Sequence, residues 1–384
     1  MIYLDNAATT MIKPEAVARA MTDAMRRAAS PGRGGHVPAM TAAEIVFRCR
    51  ENASELFNVP EPERIVFTMN ATHALNIAIR SLAHKGTRVL VSGYEHNSVT
   101  RPLAQLGADI AVASSAPFDR NGILKAFRDK IPAAELVVCT HVSNVFGFIL
   151  PVYEIAEMCR RAGVPFILDA SQSAGVLEVD YQALGAAFIA MPGHKALFGP
   201  QGTGILICGV EGEPLLSGGS GSDSIPQLMP EYLPDRMEAG THNVPGIAGL
   251  SEGISYVRSR GLKSIAAHEG RMLDTMLDGL NGCAGLEIFR GAPGTQSGVL
   301  SFRPLRGDCE TLAQQLSERG ICVRSGLHCA PYAHRSAGTL ETGTIRASFS
   351  PFTDEMCVKK CCSVLRELLQ WNAYCCCLFL EFAL

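Results

Sequence analysis

Between about residue 14 and residue 250 the chain alternates short apolar runs with longer stretches whose apolar positions recur at helical spacing, the signature of βαβ units around a mainly parallel sheet. The runs Arg64 to Thr68, Arg88 to Ser92, Leu136 to Thr140 and Pro165 to Asp169 read as strands, each ending where polar residues begin. Ligands of open α/β sheets gather beyond the carboxyl ends of the strands, so Thr68, Ser92, Thr140 and Asp169 are placed to look onto one. The block from Ser217 to Ser222 reads as a surface loop, and a long helix is expected from near Ile247, leading into a second body. From about residue 285 onward, strands such as Gly298 to Phe302 mix with helices such as one from about Asp354 to Trp371. The expected division is a large α/β domain over 14–250 and a small α+β domain over 251–384, joined by the N-terminal segment 1–13.

Composition narrows the partners. The 34 basic and 37 acidic residues leave a net charge of -3, which supplies no electrostatic reason to expect nucleic acid or an anionic membrane. A small-molecule substrate fits better. No run reaches the roughly 18 uncharged residues of a membrane helix, and the apolar tail from Tyr374 to Leu384 is short and carries Glu381. The opening MIYLDNAATT lacks the basic-then-apolar pattern of an export signal, so the fourteen cysteines read as reduced and the protein as cytoplasmic.

Two groups mark the chemistry. Asp169 closes a buried strand in Asp169-Ala-Ser-Gln172, and Lys195 follows in Gly193-His194-Lys195, ahead of the glycine-rich Gly199-Pro-Gln-Gly-Thr-Gly204. A carboxylate to pair with a pyridinium nitrogen and a lysine to form a Schiff base are what a pyridoxal-phosphate (PLP) site must supply. Taken singly, a turn aspartate or a solvated lysine is the commoner meaning; together, in this order, they point to a cofactor. Thr68 to Asn76 reads as a strand stopping and a helix starting, where free N–H groups make an anion site suited to a phosphate, although helix capping alone explains its Thr and Asn. His96, in Tyr94-Glu95-His96-Asn97, lies at the same sheet edge, where an imidazole can stack on an aromatic ring or simply be hydrogen-bonded.

The other distinctive stretch is Arg324-Ser-Gly-Leu-His-Cys329-Ala-Pro331, followed by Thr344-Ile-Arg346-Ala-Ser348. A cysteine flanked by glycine, proline and basic groups reads as an exposed loop thiol whose thiolate is favoured by nearby cations. Arg346 in a strand has the planar fork that grips a carboxylate at two points, or forms an ordinary ion pair.

With these segments in place, the chain from Tyr3-Leu-Asp-Asn-Ala-Ala8 to about Thr353 resembles the cysteine desulfurases of the class V aminotransferase fold, within the group that includes selenocysteine lyases. The resemblance implies PLP fold type I, with a mainly parallel seven-stranded sheet, and a homodimer. It implies Lys195 as Schiff-base lysine, Asp169 as pyridinium partner, Gln172 as donor to the cofactor's phenolic oxygen, and His96 as stacking residue and proton carrier. Ala71, Thr72 and His194 match phosphate-contacting positions, and Thr241 one that reaches over from the other subunit. Asn144 and Arg346, with Arg324 nearby, match the hold on the substrate carboxylate, His36 matches a residue at the site entrance, and Cys329 matches the sulfur-accepting nucleophile. The implied reaction turns L-cysteine into L-alanine and leaves a persulfide on Cys329 for an acceptor protein, as in iron-sulfur cluster assembly. L-selenocysteine cleavage, another PLP reaction, and a non-catalytic scaffold in sulfur transfer are the alternatives.

Two places depart from the family pattern. Pro192 stands where many relatives have Ser or Thr before Gly-His-Lys, and proline offers neither hydroxyl nor N–H to a phosphate. Six of the fourteen cysteines crowd the C-terminal stretch: Cys357, Cys361, Cys362, Cys375, Cys376 and Cys377. The triple cysteine is read either as a persulfide relay or as part of an apolar packing tail. The spacing has no C-x-x-C pair, so no metal is expected.

Overall fold

The computed structural model of the chain describes residues 1–32, 34–222 and 224–381, with side chains as far as residue 369. Seven strands form one sheet in the order Ile65–Thr68, Gly204–Cys208, Phe188–Pro192, Phe166–Asp169, Leu136–Thr140, Arg88–Ser92, Asp109–Ala113. From Phe188–Pro192 to the edge at Asp109–Ala113 all neighbours run parallel, while Gly204–Cys208 is antiparallel to both of its neighbours. Five of the seven strands are buried at every residue, as a sheet covered by helices on both faces requires. The four strands expected from the apolar runs form within a residue of their expected ends. Asp109–Ala113, Phe188–Pro192 and Gly204–Cys208 complete the sheet.

A second, antiparallel sheet has the order Arg324–Gly326, Thr344–Ser348, Val299–Pro304, Leu286–Phe289. Its core gathers Met272, Met276, Leu300, Phe302, Leu316, Ile345 and Leu365. The helix expected near Ile247 spans Val244–Arg260, and its Ile247, Leu250 and Ile254 belong to the core of the large sheet. The chain turns at Gly261, φ 81°, into the helix Leu262–Gly279, which belongs to the smaller core. The last helix, Glu355–Glu381, buries Cys361 and Cys362 in that core, where loss of hydration pushes their thiols up to about 12 and about 11. The side chains of Cys375, Cys376 and Cys377 lie outside the described residues.

The N-terminus ties the two bodies together. Ile2–Tyr3 pairs in parallel with Ile321–Cys322, and Leu4 enters the small core. The next residues cross over: Ala7 N donates to Ser348 Oγ at 2.8 Å, and Thr10 N to the His194 carbonyl at 3.1 Å. Segment 1–10 is therefore a strap from the small sheet to the lysine turn.

Close backbone approach also fixes that turn. Gly175, φ 95°, ends the turn after Asp169, and a Cβ there would sit 2.2 Å from the Ala196 carbonyl oxygen. Gly175→Ala combines a left-handed backbone with a backbone clash, so it is expected to cost on the order of 1–3 kcal/mol. A urea midpoint equal to that of the parent would refute this tight fit.

Candidate active site

The carboxyl ends of the large sheet and the edge of the small one enclose a cavity of about 230 Å³. It brings together Ala71, Thr72, His96, Asn144, Asp169, Gln172, His194, Lys195, Arg324, Cys329 and Arg346. Of the residues expected from sequence, His36 and Thr241 do not line it. Asn70, Ser98, His328 and Pro192 do.

One side is built for an anion. Asn70 caps the helix Ala71–Leu82 by accepting from His73 N at 2.9 Å, which leaves the Ala71 and Thr72 N–H groups without an acceptor among the described residues. The Thr72 hydroxyl lies 2.7 Å from that of Ser98. Ser98 thus brings a hydroxyl to the cavity that Pro192 also lines and to which proline offers none. His194 is anchored to Thr9 Oγ1 through Nδ1 at 3.0 Å. Burial, then Lys195 and Lys13, push its imidazole down to about 4.

The strands supply the acid-base groups. Asp169, the last residue of its strand, is buried and accepts from Ser171 N at 2.9 Å. Burial raises its carboxyl above the ordinary value, while Ser171 and Lys195 pull the other way. Burial lowers Lys195 to about 8; Asp169 opposes that, and Arg346 and Arg324 add to it. Glu95, fully buried, accepts from Thr140 N at 2.8 Å and from the Ser92 hydroxyl. Its other carboxyl oxygen has no partner, and burial followed by Asp169 raises it to about 8. His96 caps the helix Asn97–Leu106: its Nδ1 accepts from Ser98 N at 3.0 Å, which puts the ring proton on Nε2. Burial, then Lys195 and Arg346, lower it to about 4, so it is neutral at physiological pH.

The small sheet supplies cations and the thiol. Arg324 and Arg346 are register partners on adjacent antiparallel strands, and like charges placed so repel until an anion joins them. Arg346 is 2 % exposed; Nη2 donates to Asp5 Oδ1 at 2.7 Å, Nη1 donates to the Asn144 carbonyl at 2.9 Å, and Nε has no partner. His328 (φ 49°) and Cys329 (φ 57°) form a turn in the left-handed region, unusual for residues with side chains. Both carbonyls are held from the large sheet: Asn144 Nδ2 donates to that of His328 at 2.8 Å, and Asn97 N to that of Cys329 at 2.7 Å. His328 stacks on the buried His334 with ring centres 5.9 Å apart, and its Nδ1 has no partner. Burial, then Arg346 and His334, hold it well below the ordinary histidine range. Cys329 itself is exposed.

Outside the cavity, His36 caps the helix Val37–Phe57, its Nδ1 accepting from Ala39 N at 3.3 Å. Thr241 lines a separate hollow beside Phe67, Met69 and His73. Its segment is pinned by Glu238, which forms a buried bidentate pair with Arg50 and accepts from Phe67 N at 2.6 Å. Sequence reading missed Ser98, His328 and Asp5. Ser98 sits two positions after His96, and His328 lies inside the Arg324 to Pro331 stretch, so both carried a signal by adjacency. Asp5 carried none that separates it from a turn residue.

The family model described as "Aminotransferase class-V" matches residues 2–360. A protein of Methanothermobacter thermautotrophicus described as "Probable cysteine desulfurase" is 37% identical over 363 residues, 90% of this chain and 89% of its own length. Another with that description, from Pyrococcus abyssi, is 33% identical over 96% of this chain and 94% of its own. Among solved structures, an apo cysteine desulfurase from Thermococcus onnurineus superimposes with a TM-score of 0.87 at 31% identity, covering 96% of this chain and 94% of that one.

His96, His141, His194 and His334 all sit near 4 in the fold, against a reference of 6.5. Between those values the unfolded chain binds protons that the folded one refuses, so stability is full above pH 6.5 and is lost as the pH falls toward 4. Urea midpoints taken from pH 7 to pH 5 are expected to fall, and His96→Gln to reduce the slope by up to about one proton. A slope that the substitution leaves untouched would show that His96 is not buried as a neutral ring.

Proposed function

Because the chain belongs to the class-V aminotransferase family, we propose that it is a PLP-dependent cysteine desulfurase, which converts L-cysteine to L-alanine and keeps the sulfur as a persulfide on Cys329. The observation that carries this reading is the meeting of Lys195, Asp169 and Cys329 around one cavity, the first two from the large sheet and the thiol from the small one. Transamination needs no thiol at that place.

The family's cofactor suits the residues present. Free N–H groups at Ala71 and Thr72, with the hydroxyls of Thr72 and Ser98, would hold the phosphate; Asp169 would face the ring nitrogen, Gln172 the phenolic oxygen, and Lys195 the aldehyde carbon. Bound there, PLP supplies a sink for the electron pair released at the substrate α-carbon.

The chain's own groups do the rest. Arg346, with a free Nε and its Nη atoms oriented by Asp5 and Asn144, takes the substrate carboxylate, and that anion relieves the repulsion from Arg324. Lys195, lowered to about 8, is available as a neutral amine to take the α-proton at Nζ. His96 presents Nε2–H and stays uncharged, so it donates a hydrogen bond without adding a cation to the site. The Cys329 sulfur attacks the substrate sulfur from a turn that both sheets hold in place.

The proposal extends to a homodimer in which Thr241 and His36 of one copy complete the site of the other, since neither reaches the cavity of its own chain. A cytoplasmic setting is supported by the free thiols of the eleven described cysteines, and no helix of the described residues is long and apolar enough to cross a membrane. The sulfur would then pass to an acceptor protein, for uses such as iron-sulfur cluster assembly.

Incubation with L-cysteine and a reductant is expected to give equal amounts of alanine and sulfide. Cys329→Ala should keep the cofactor's absorbance and lose sulfide formation by about 10²-fold or more. Full activity in that variant would remove Cys329 from the reaction.

A further inference from the structure

Arg346 meets the cavity with part of its grip already taken. A guanidinium has two edges that hold a carboxylate at two points, one running through Nε and Nη2 and the other through Nη1 and Nη2. Both edges share Nη2, and Asp5 Oδ1 accepts from that nitrogen at 2.7 Å. The Asn144 carbonyl takes Nη1 at 2.9 Å, so the edge left for a ligand is the one through Nε, and it ends on the atom that Asp5 holds.

Asp5 is fixed in that place. Its backbone bridges in parallel to Ser348, two positions along the strand from Arg346, and its carbonyl accepts from Ala8 N at 3.1 Å and from the Tyr3 hydroxyl at 3.2 Å. It does not line the cavity itself and acts there through Arg346. With the cavity empty, this carboxylate keeps a guanidinium that is only 2 % exposed in its charged form: burial lowers Arg346, and Asp5 raises it by charge and by hydrogen bond. With a substrate bound, the carboxylates of Asp5 and of the ligand share one cation, and like charges so placed repel.

We propose that Asp5 is a built-in counter-ligand of Arg346, a positioning residue that loosens the hold on the α-carboxylate so that L-alanine leaves. The inference deepens the functional reading above and rests on it. L-Cysteine and L-alanine carry the same α-carboxylate, and the reaction leaves that group unaltered. A firmer grip on it tightens both alike, which lowers KM without raising kcat and retains the product. Arg324, the register partner of Arg346, adds to the pull on any anion that enters, and the charge of Asp5 limits that pull.

Asp5→Asn removes the charge and keeps an oxygen for Nη2. In the holoenzyme, the inhibition constants of L-alanine and of propionate against L-cysteine are expected to fall severalfold together, with KM falling and kcat not rising. Propionate has no amine to react with the cofactor, so it reports the carboxylate hold apart from the effect of Asp5 on Lys195. Asp5→Glu, which restores the charge, is expected to return both constants toward those of the parent. An ion pair that only braces Arg346 gives the opposite sign: its loss slackens the arginine and raises both constants. That outcome, or constants left unchanged, overturns the proposal.

Asp5→Ser is a second variant with the same expected direction. The unaltered enzyme gives a test that needs no variant to fold: L-alanine that inhibits strongly at concentrations below the KM of L-cysteine is not being released by a loosened hold, and overturns the proposal. Arg346→Gln tests the reading beneath it. If that variant leaves KM and the propionate constant where they were, Arg346 does not take the substrate carboxylate, and it is the functional reading that fails.

Discussion

Loss of hydration around Lys195 shapes this molecule more than any single bond. An amine in water is a cation and no base; with its solvent removed it gives up its proton near neutrality. Keeping it there requires that the charges nearby be few and placed with care. Asp169, and more weakly Asp5, are the carboxylates that favour its charge, and two arginines on the small sheet lean the other way. The histidines around it are held neutral by the same dryness. Burial thus sets which groups carry charge, and the fold exists in part to maintain it.

The two arginines illustrate how that arrangement is completed by its ligand. Arg324 and Arg346 are adjacent across a strand pair, with Asp5 offsetting part of their repulsion. The strap that delivers Asp5 also brings Thr9 and Thr10 to the lysine turn. One stretch of ten residues therefore tunes the anion-binding face and braces the amine. Its short strand and its tie to Ser348 make that double role mechanical as well as electrostatic.

Much of the large sheet was legible because its central strands are buried on both faces and read as unbroken Val, Ile, Leu and Phe runs. Asp109–Ala113 was not, since an edge strand with alternating exposure and an aspartate at its head looks like loop. Phe188–Pro192 ends in a proline, and Gly204–Cys208 opens in glycine-rich sequence, which argues against strand locally. Lys195, Asp169, His96 and Cys329 stood out because each sits in a motif. Asp5 did not: a lone acid means nothing until the fold shows what it faces. Thr241 and His36 were legible by resemblance alone, and within one chain each stays apart from the cavity.

The turn at His328 and Cys329 carries a further implication. Two successive left-handed residues store strain, on the order of 1–3 kcal/mol apiece, and the bonds that hold them come from Asn97 and Asn144 on the opposite body. Were the two bodies to part, both bonds would break together and the turn would be free to uncoil. The reach of the sulfur atom is in this way geared to the gap between the lobes: a closed cleft keeps it trained on the substrate, and a widening one releases it outward.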